Sequence, residues 1–244
     1  MSTSPFWVSA FLDFAPEDFE GGVTFWQGVT GYALSERRGV DGAFATLVPA
    51  DGDDYLRVQR LGGGDGRVHL DLHVESPTMA AEAAIELGAH VLMRHEQGYV
   101  VLRSPGGFVF CFVRHHASRR PAPATWADGN RSYVDQVCLD IPPEHHAAEV
   151  AFWRALTGWD FTDSVSPEFS RIHPPDDQPL RWLLQRLDEP GGDVTAHLDL
   201  AADDREAEAA RHVALGATVT RVHEHWTVMT GPDGTTYCIT GRTP

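Results

Sequence analysis

Cysteine is scarce. Three residues in 244 is an odd number and too few for a disulfide framework, so the chain is not a small stapled domain. Positive charge is thin as well: 19 Lys and Arg face 35 Asp and Glu, a formal net charge of -16. A surface so uniformly negative is repelled by phosphate backbones and anionic lipid, which excludes nucleic acid and membrane as main partners. The first twenty residues, MSTSPFWVSAFLDFAPEDFE, have neither the basic start of a secretory signal nor an apolar run long enough for a span. A cytoplasmic protein is expected, its acidity serving solubility or attracting a cationic ligand. There is no G-x-S-x-G nucleophile elbow. The one glycine-rich run, GGGDG at 62–66, lies between two strand-like runs and lacks the helix N-terminus that a phosphate cradle needs. With 42% hydrophobic and 22% charged residues, a packed core is expected rather than disorder.

What is present is a duplication. FLDFAPEDFEGGVTFWQGVTGY, ending at Tyr32, matches CLDIPPEHHAAEVAFWRALTGW, ending at Trp159. The FW pairs start at Phe25 and Phe152, 127 residues apart, and the same offset places His69 near His197, Asp71 near Asp199 and Cys111 on Cys238. Residues 1–116 and 132–244 are therefore expected as two domains. Between them, 117–131 has the unpatterned Pro, Ala and polar composition of a linker.

Each copy shows an internal βαβββ rhythm, sounded twice. In the first, WVSAFLDF leads to a helix expected from Pro16 to Thr30, closed by Gly31, with Phe19, Val23, Trp26 and Val29 on its core face. Strand-like runs follow at Ala43–Val48 and Tyr55–Leu61. VHLDLHV then alternates strictly, and Ser76–Pro77 opens a helix that runs to Leu87 and stops at Gly88. The second copy puts Pro143 and Asp203–Asp204 at the matching helix starts. An α+β fold follows.

The order of the FW…TGY/TGW helix end, the H-L-D-L strand and the P-x-G-x-x-x-C final strand (Pro105, Gly107, Cys111; Pro232, Gly234, Cys238) resembles the vicinal-oxygen-chelate superfamily of glyoxalases, bleomycin-resistance proteins and extradiol dioxygenases. The resemblance covers nearly the whole chain outside the linker. It implies two tandem glyoxalase-like domains, each a pair of βαβββ units forming a half-open barrel around a site. Metal-dependent members place ligands at four recurring points, His or Gln at the first and third, Glu at the second and fourth. Here the first point falls on Ser9 and Gln136, the second on Gln59 and Gln185, the third on His69 and His197, the fourth on Cys111 and Cys238. None is a carboxylate, whereas divalent ions favour carboxylate and imidazole donors.

Strand parity puts His69, Asp71 and His73 on one face, away from Val68, Leu70, Leu72 and Val74, and does the same for His197 and Asp199. These histidines are either ligand contacts or hydrogen-bonded wall residues. The two aspartates read as acid/base groups or, more simply, as partners of an arginine such as Arg60 or Arg186. Cys111 and Cys138 sit among apolar neighbours and read as buried hydrophobes; Cys238 lies in a more polar strand. Trp7, Trp159 and Trp182 are candidate pocket walls, Trp26 and Trp153 core. His115–His116, His145–His146 and His223-x-His225 lack a third ligand at sensible spacing and read as surface.

The expected function is small-molecule binding through Gln59, His69, Asp71, Gln136, Gln185, His197 and Asp199, with no cofactor favoured. The alternative is a lyase, isomerase or dioxygenase that uses a divalent metal on Gln136, Gln185, His197 and Cys238 of the second domain. A monomer or homodimer is expected in either case.

Overall fold

Strands and helices follow one another in the order the repeat predicts. In the computed structural model, which describes residues 4–164 and 166–244, the first copy runs β1 (Trp7–Phe14), α1 (Phe19–Thr30), β2 (Ala33–Leu34), β3 (Phe44–Val48), β4 (Leu56–Arg60), β5 (Arg67–His73), α2 (Pro77–Glu86), β6 (His90–Arg94), β7 (Val100–Arg103) and β8 (Val109–Val113). The segment expected as a bare linker contains β9 (Ala124–Thr125), which pairs with the start of β10 (Arg131–Ile141). The second copy continues with α3 (His146–Thr157), β11 (Asp160–Asp163), β12 (Phe169–His173), β13 (Arg181–Arg186), β14 (Thr195–Ala202), α4 (Arg205–Ala214), β15 (Thr218–Val222), β16 (Trp226–Thr230) and β17 (Thr236–Thr240).

Local chemistry accounts for the helix limits. α1 starts at Phe19 rather than Pro16 because a turn closes first, Asp18 N–H donating to Ala15 O, and only then does Gly22 N–H reach Asp18 O. It ends where Gly31 takes φ 71, a left-handed conformation that glycine adopts without a Cβ clash, and gives its N–H to Gln27 O. Gly158 ends α3 in the same way at φ 67. Ser76 Oγ and the Asp204 carboxylate cap α2 and α4, accepting from Met79 N–H and from Glu206 and Ala207 N–H.

The strands form two open mixed sheets, ordered β2-β3-β4-β1-β5-β8-β7-β6 and β11-β12-β13-β10-β14-β17-β16-β15. β5 pairs with β8 and β14 with β17 in parallel; β3–β4, β6–β7–β8, β11–β12–β13 and β15–β16–β17 are antiparallel. No helix among the described residues is long and apolar enough to cross a membrane.

The chain divides into two compact units that do not follow the copies. One comprises the chain up to Ala10, His69–Arg119 and Val137–Ala196; the other comprises Phe11–Val68, Arg120–Gln136 and His197–Pro244. Each core is thus drawn from both copies. In the first unit, Trp153 of α3 lies 5.1 Å from Phe110 and 5.2 Å from Trp182, ring centre to ring centre. Its Nε1–H donates to Glu149, whose other oxygen accepts the N–H of Gly106 in the β7–β8 turn. In the second unit Trp26 of α1 packs 5.4 Å from Tyr237 and donates directly to Asp233 in the β16–β17 turn. The same indole-to-turn tie is made with one carboxylate from the helix and one from the turn. Trp7, Trp26, Trp153 and Trp182 are all fully buried, so Trp7 and Trp182 belong to the core rather than to a pocket rim.

Candidate functional site

On β5 the pleat works as alternation predicts: Val68, Leu70 and Leu72 share one face, His69 and Asp71 the other. Asp71 is in parallel register with Cys111 of β8. The donor atoms of His69, Asp71 and Cys111 all lie within 4.8 Å of one another, His69 Nε2 being 3.9 Å from Asp71 Oδ1. Val101 of β7 faces Cys111 across the pair, and Tyr99, two residues earlier, shares that side. The Tyr99 phenol is pushed up by burial and by the neighbouring Cys111 and Asp71. His95 stacks on its ring at 4.3 Å.

His73 has a different task. Its Nδ1 lies 2.8 Å from His115 O, so Nδ1 carries the proton, and in the neutral ring Nε2 accepts from Ser9 Oγ at 2.9 Å. This pair is fully buried and holds wall to wall. Ser9, the residue at the first family point, is engaged there.

The second copy repeats the cluster with one addition. Leu198 and Leu200 occupy one face of β14, His197 and Asp199 the other, and Asp199 is in parallel register with Cys238 of β17. Donor atoms of His197, Asp199 and Cys238 again lie within 4.8 Å of one another. Gln136 Nε2–H donates to Asp199 Oδ2. Asp199 Oδ1 lies 3.3 Å from His197 Nε2, is buried, and accepts no hydrogen bond. Val228 of β16 faces Cys238, and the register puts Trp226 on the same side, its ring stacked on His223 at 4.3 Å. The His197 side chain keeps 15% of its surface exposed, that of His69 8%.

Asp199 therefore pairs with an amide and an imidazole, not with an arginine; the Arg60 guanidinium donates to Asp41 O instead. A carboxylate withdrawn from water costs several kcal/mol, about what a countercharge returns, and a neutral amide returns only ~1 kcal/mol. A bound cation beside Asp199 would supply such a countercharge. Imidazole nitrogen, carboxylate oxygen and thiol sulfur converging beside an unbonded carboxylate oxygen fit a borderline-soft divalent ion, and three protein donors leave a position for substrate.

Two further candidates stand on other strands. Gln59 is half-buried on β4 opposite Phe44, and Gln185 on β13 accepts from Cys138 Sγ–H at 3.8 Å. Sequence reasoning missed Tyr99 and Trp226, which stand 127 residues apart, the same offset as the FW pairs. No carboxylate stands at the four family points, but H-x-D on an alternating strand places one beside each histidine, as the sequence led one to expect. Elsewhere in the second unit a crevice lined by Thr30, Tyr32, Ser132, Tyr133 and Leu200, among others, encloses about 190 Å³ including space open to solvent, less than the ~300 Å³ of typical ligand pockets.

Comparison with known proteins agrees with this architecture. The glyoxalase-like domain family matches twice, at residues 9–113 and 136–240. No curated protein sequence matches. Among solved structures, a 4-hydroxymandelate synthase variant from Streptomyces coelicolor is 13% identical, with 100% of this chain and 94% of that one covered at a TM-score of 0.64. The Mn(II)-bound glyoxalase from Novosphingobium aromaticivorans is 17% identical, covering 98% and 81% at 0.64. An extradiol ring-cleaving dioxygenase from B. fuscum is 12% identical, covering 99% and 73% at 0.65. The chain belongs to the glyoxalase-like domain family and carries two such domains in tandem.

Proposed function

We propose that this protein binds a small molecule on the His197 face of its second domain, with Gln136, His197 and Asp199 as polar contacts and Trp226 as an aromatic wall. One observation carries the reading: Gln136 holds Asp199 so that its second oxygen, buried and accepting no hydrogen bond, stays beside a partly exposed imidazole. Such a preset acceptor suits a ligand with a hydroxyl or N–H donor, and stacked aromatics suit a planar one. The fold neighbours include an extradiol ring-cleaving dioxygenase and a homoprotocatechuate 2,3-dioxygenase variant, so catechols are the first probes. Isothermal titration of the full chain with catechol and homoprotocatechuate is expected to show binding that His197→Ala abolishes and His69→Ala leaves intact. Absence of binding to either probe, or binding indifferent to His197→Ala, refutes the reading.

A second reading, a metal-dependent lyase, isomerase or dioxygenase, is favoured by the donor chemistry of the same face and by the Mn(II)-bound neighbour. A divalent ion on His197, Asp199 and Cys238 would supply Lewis acidity toward a substrate oxygen. Gln136 would then aim Asp199, and Trp226 would shield the face from water. Both readings place the protein in the cytoplasm as a monomer or homodimer.

A further inference from the structure

We infer that Arg221 sets the ligand class of the second domain: its guanidinium reads a carboxylate arm on the planar molecule whose hydroxyl or N–H groups meet Asp199 and His197. The inference rests on the small-molecule reading of that face and extends it from a planar donor to an aromatic acid.

Cross-strand register puts Arg221 in one row with the site. Asp199 on β14 faces Cys238 on β17, Cys238 faces Val228 on β16, and Val228 faces Arg221 on β15. Burial falls along this row, from buried Asp199 and Cys238 through half-buried Val228 to exposed Arg221, so it runs from the floor of the face to its rim. A β-bulge brings Arg221 onto it. Val219 faces buried Met229 on the opposite side of the sheet, and strict alternation would send Arg221 there as well; the register shift between Val219 and Arg221 returns it to the site face. The matching shift in β6 sets Met93 opposite Val101, which faces Cys111, so the first domain carries a thioether where the second carries a guanidinium.

Arg221 has no carboxylate partner among the described residues, in a chain with 35 acidic ones. On the first domain's outer strands, by contrast, Arg94 pairs with Glu82 at 2.6 Å and Arg103 with Asp193 at 3.6 Å. An unanswered cation on an acidic surface draws an anion to that spot. Neighbouring strands lie about 4.8 Å apart, so roughly 14 Å separates the Asp199 and Arg221 backbones. Side chains reaching inward from both ends leave room for one aromatic ring with a short arm, beside Trp226 on the same side.

The test is isothermal titration of the full chain with catechol, with homoprotocatechuate, which adds a carboxylate arm, and with the methyl ester of homoprotocatechuate, whose arm is neutral. A charge-assisted contact is expected to make the acid bind about tenfold more tightly than catechol, and the ester no better than catechol. Arg221→Met, which copies the first domain, and Arg221→Gln should each abolish that preference while catechol affinity stays within about twofold, a result that also verifies the fold of the variant. Arg94→Gln removes a cation from the first domain's edge strand and should leave the preference intact, which separates a local contact from net charge. A wild type that binds catechol without favouring the acid overturns the inference. So does a preference that survives both Arg221 variants, one lost equally in Arg94→Gln, or an Arg221 variant that weakens catechol and the acid alike. In each of those cases catechol binding that His197→Ala abolishes keeps the small-molecule reading standing; if neither catechol nor the acid binds, both fall.

Discussion

Replacing Glu208 with Gln probes the polar tie that fastens α4 to α1 in the second unit. Glu208 is fully buried; it accepts from Arg211 at 2.7 and 3.0 Å and from Asn130 at 3.3 Å, and lies 3.1 Å from His212 Nε2. Arg211 in turn donates to Gly28 O and Val29 O, the last carbonyls of α1, and its guanidinium lies 3.6 Å over the Trp126 ring. Burial alone would raise the Glu208 carboxyl, but hydrogen bonds from His212, Arg211 and Ser132 outweigh it and hold it at about 2, below the ordinary 4.5. At ~1.4 kcal/mol per pH unit, that difference corresponds to at most about 3 kcal/mol of stability above pH ~4.5. Removing one partner of a buried pair costs about 3–5 kcal/mol, and Arg211 keeps some solvent, so the low end applies, about 2–3 kcal/mol. The sign follows from the direction of each shift. A depressed carboxylate stabilises above its unfolded value and loses that contribution as pH falls through its folded one. Burial also lowers His212, so the unfolded chain takes up its proton first, and stability falls as pH drops below about 6.5. Urea midpoints read by tryptophan fluorescence should place Glu208→Gln about 2–3 kcal/mol below wild type near pH ~7.5, with the gap narrowing markedly near pH ~3. An equal gap at both values, or one under about 0.5 kcal/mol at the higher, would refute the reasoning.

Other consequences are open to measurement. Gly31→Ala forces a left-handed alanine whose Cβ would meet Trp126 at 3.2 Å, so thermal unfolding should report a loss of about 1–2 kcal/mol, and Gly158→Ala, less crowded, a smaller one. Trp153→Phe leaves one oxygen of buried Glu149 without its indole donor and should cost about 1–3 kcal/mol in denaturant unfolding, while Gly106 keeps the other oxygen. On the metal-dependent reading, Gln136→Ala frees the Asp199 carboxylate and should lower Co(II) affinity at the second domain about 10-fold in an equilibrium titration. An unaltered affinity would show that the amide does not aim that carboxylate.

Much of this was legible in the sequence because its signals are local. Gly31, Ser76 and Asp204 mark helix ends through single-residue chemistry, and H-x-D parity assigns His69 with Asp71 and His197 with Asp199 to one face each. The α1 start was misplaced because Pro16 suits a first helical turn, yet the chain spends Pro16 to Asp18 on a separate turn. His73 follows the same parity as His69, and only a strand sixty-four residues away, carrying Ser9, shows that it is a wall group. Glu208, Arg211 and His212 look in sequence like the solvated face of a charged helix. Their burial depends on the carbonyls of α1, some 180 residues distant, and no local pattern encodes that.

That dependence has a consequence for how such a chain can change. Because each core borrows half its walls from the other copy, neither repeat owns a complete interior. Deleting one copy would strip the other of partners such as Arg211 for α1 or Gly106 for Glu149. The duplication is therefore irreversible in a mechanical sense: a repeat whose site has lost its purpose must still be kept as scaffolding. Replacements such as Ser9 where the other copy has Gln136 can then accumulate on one face while the framework beneath is held fixed.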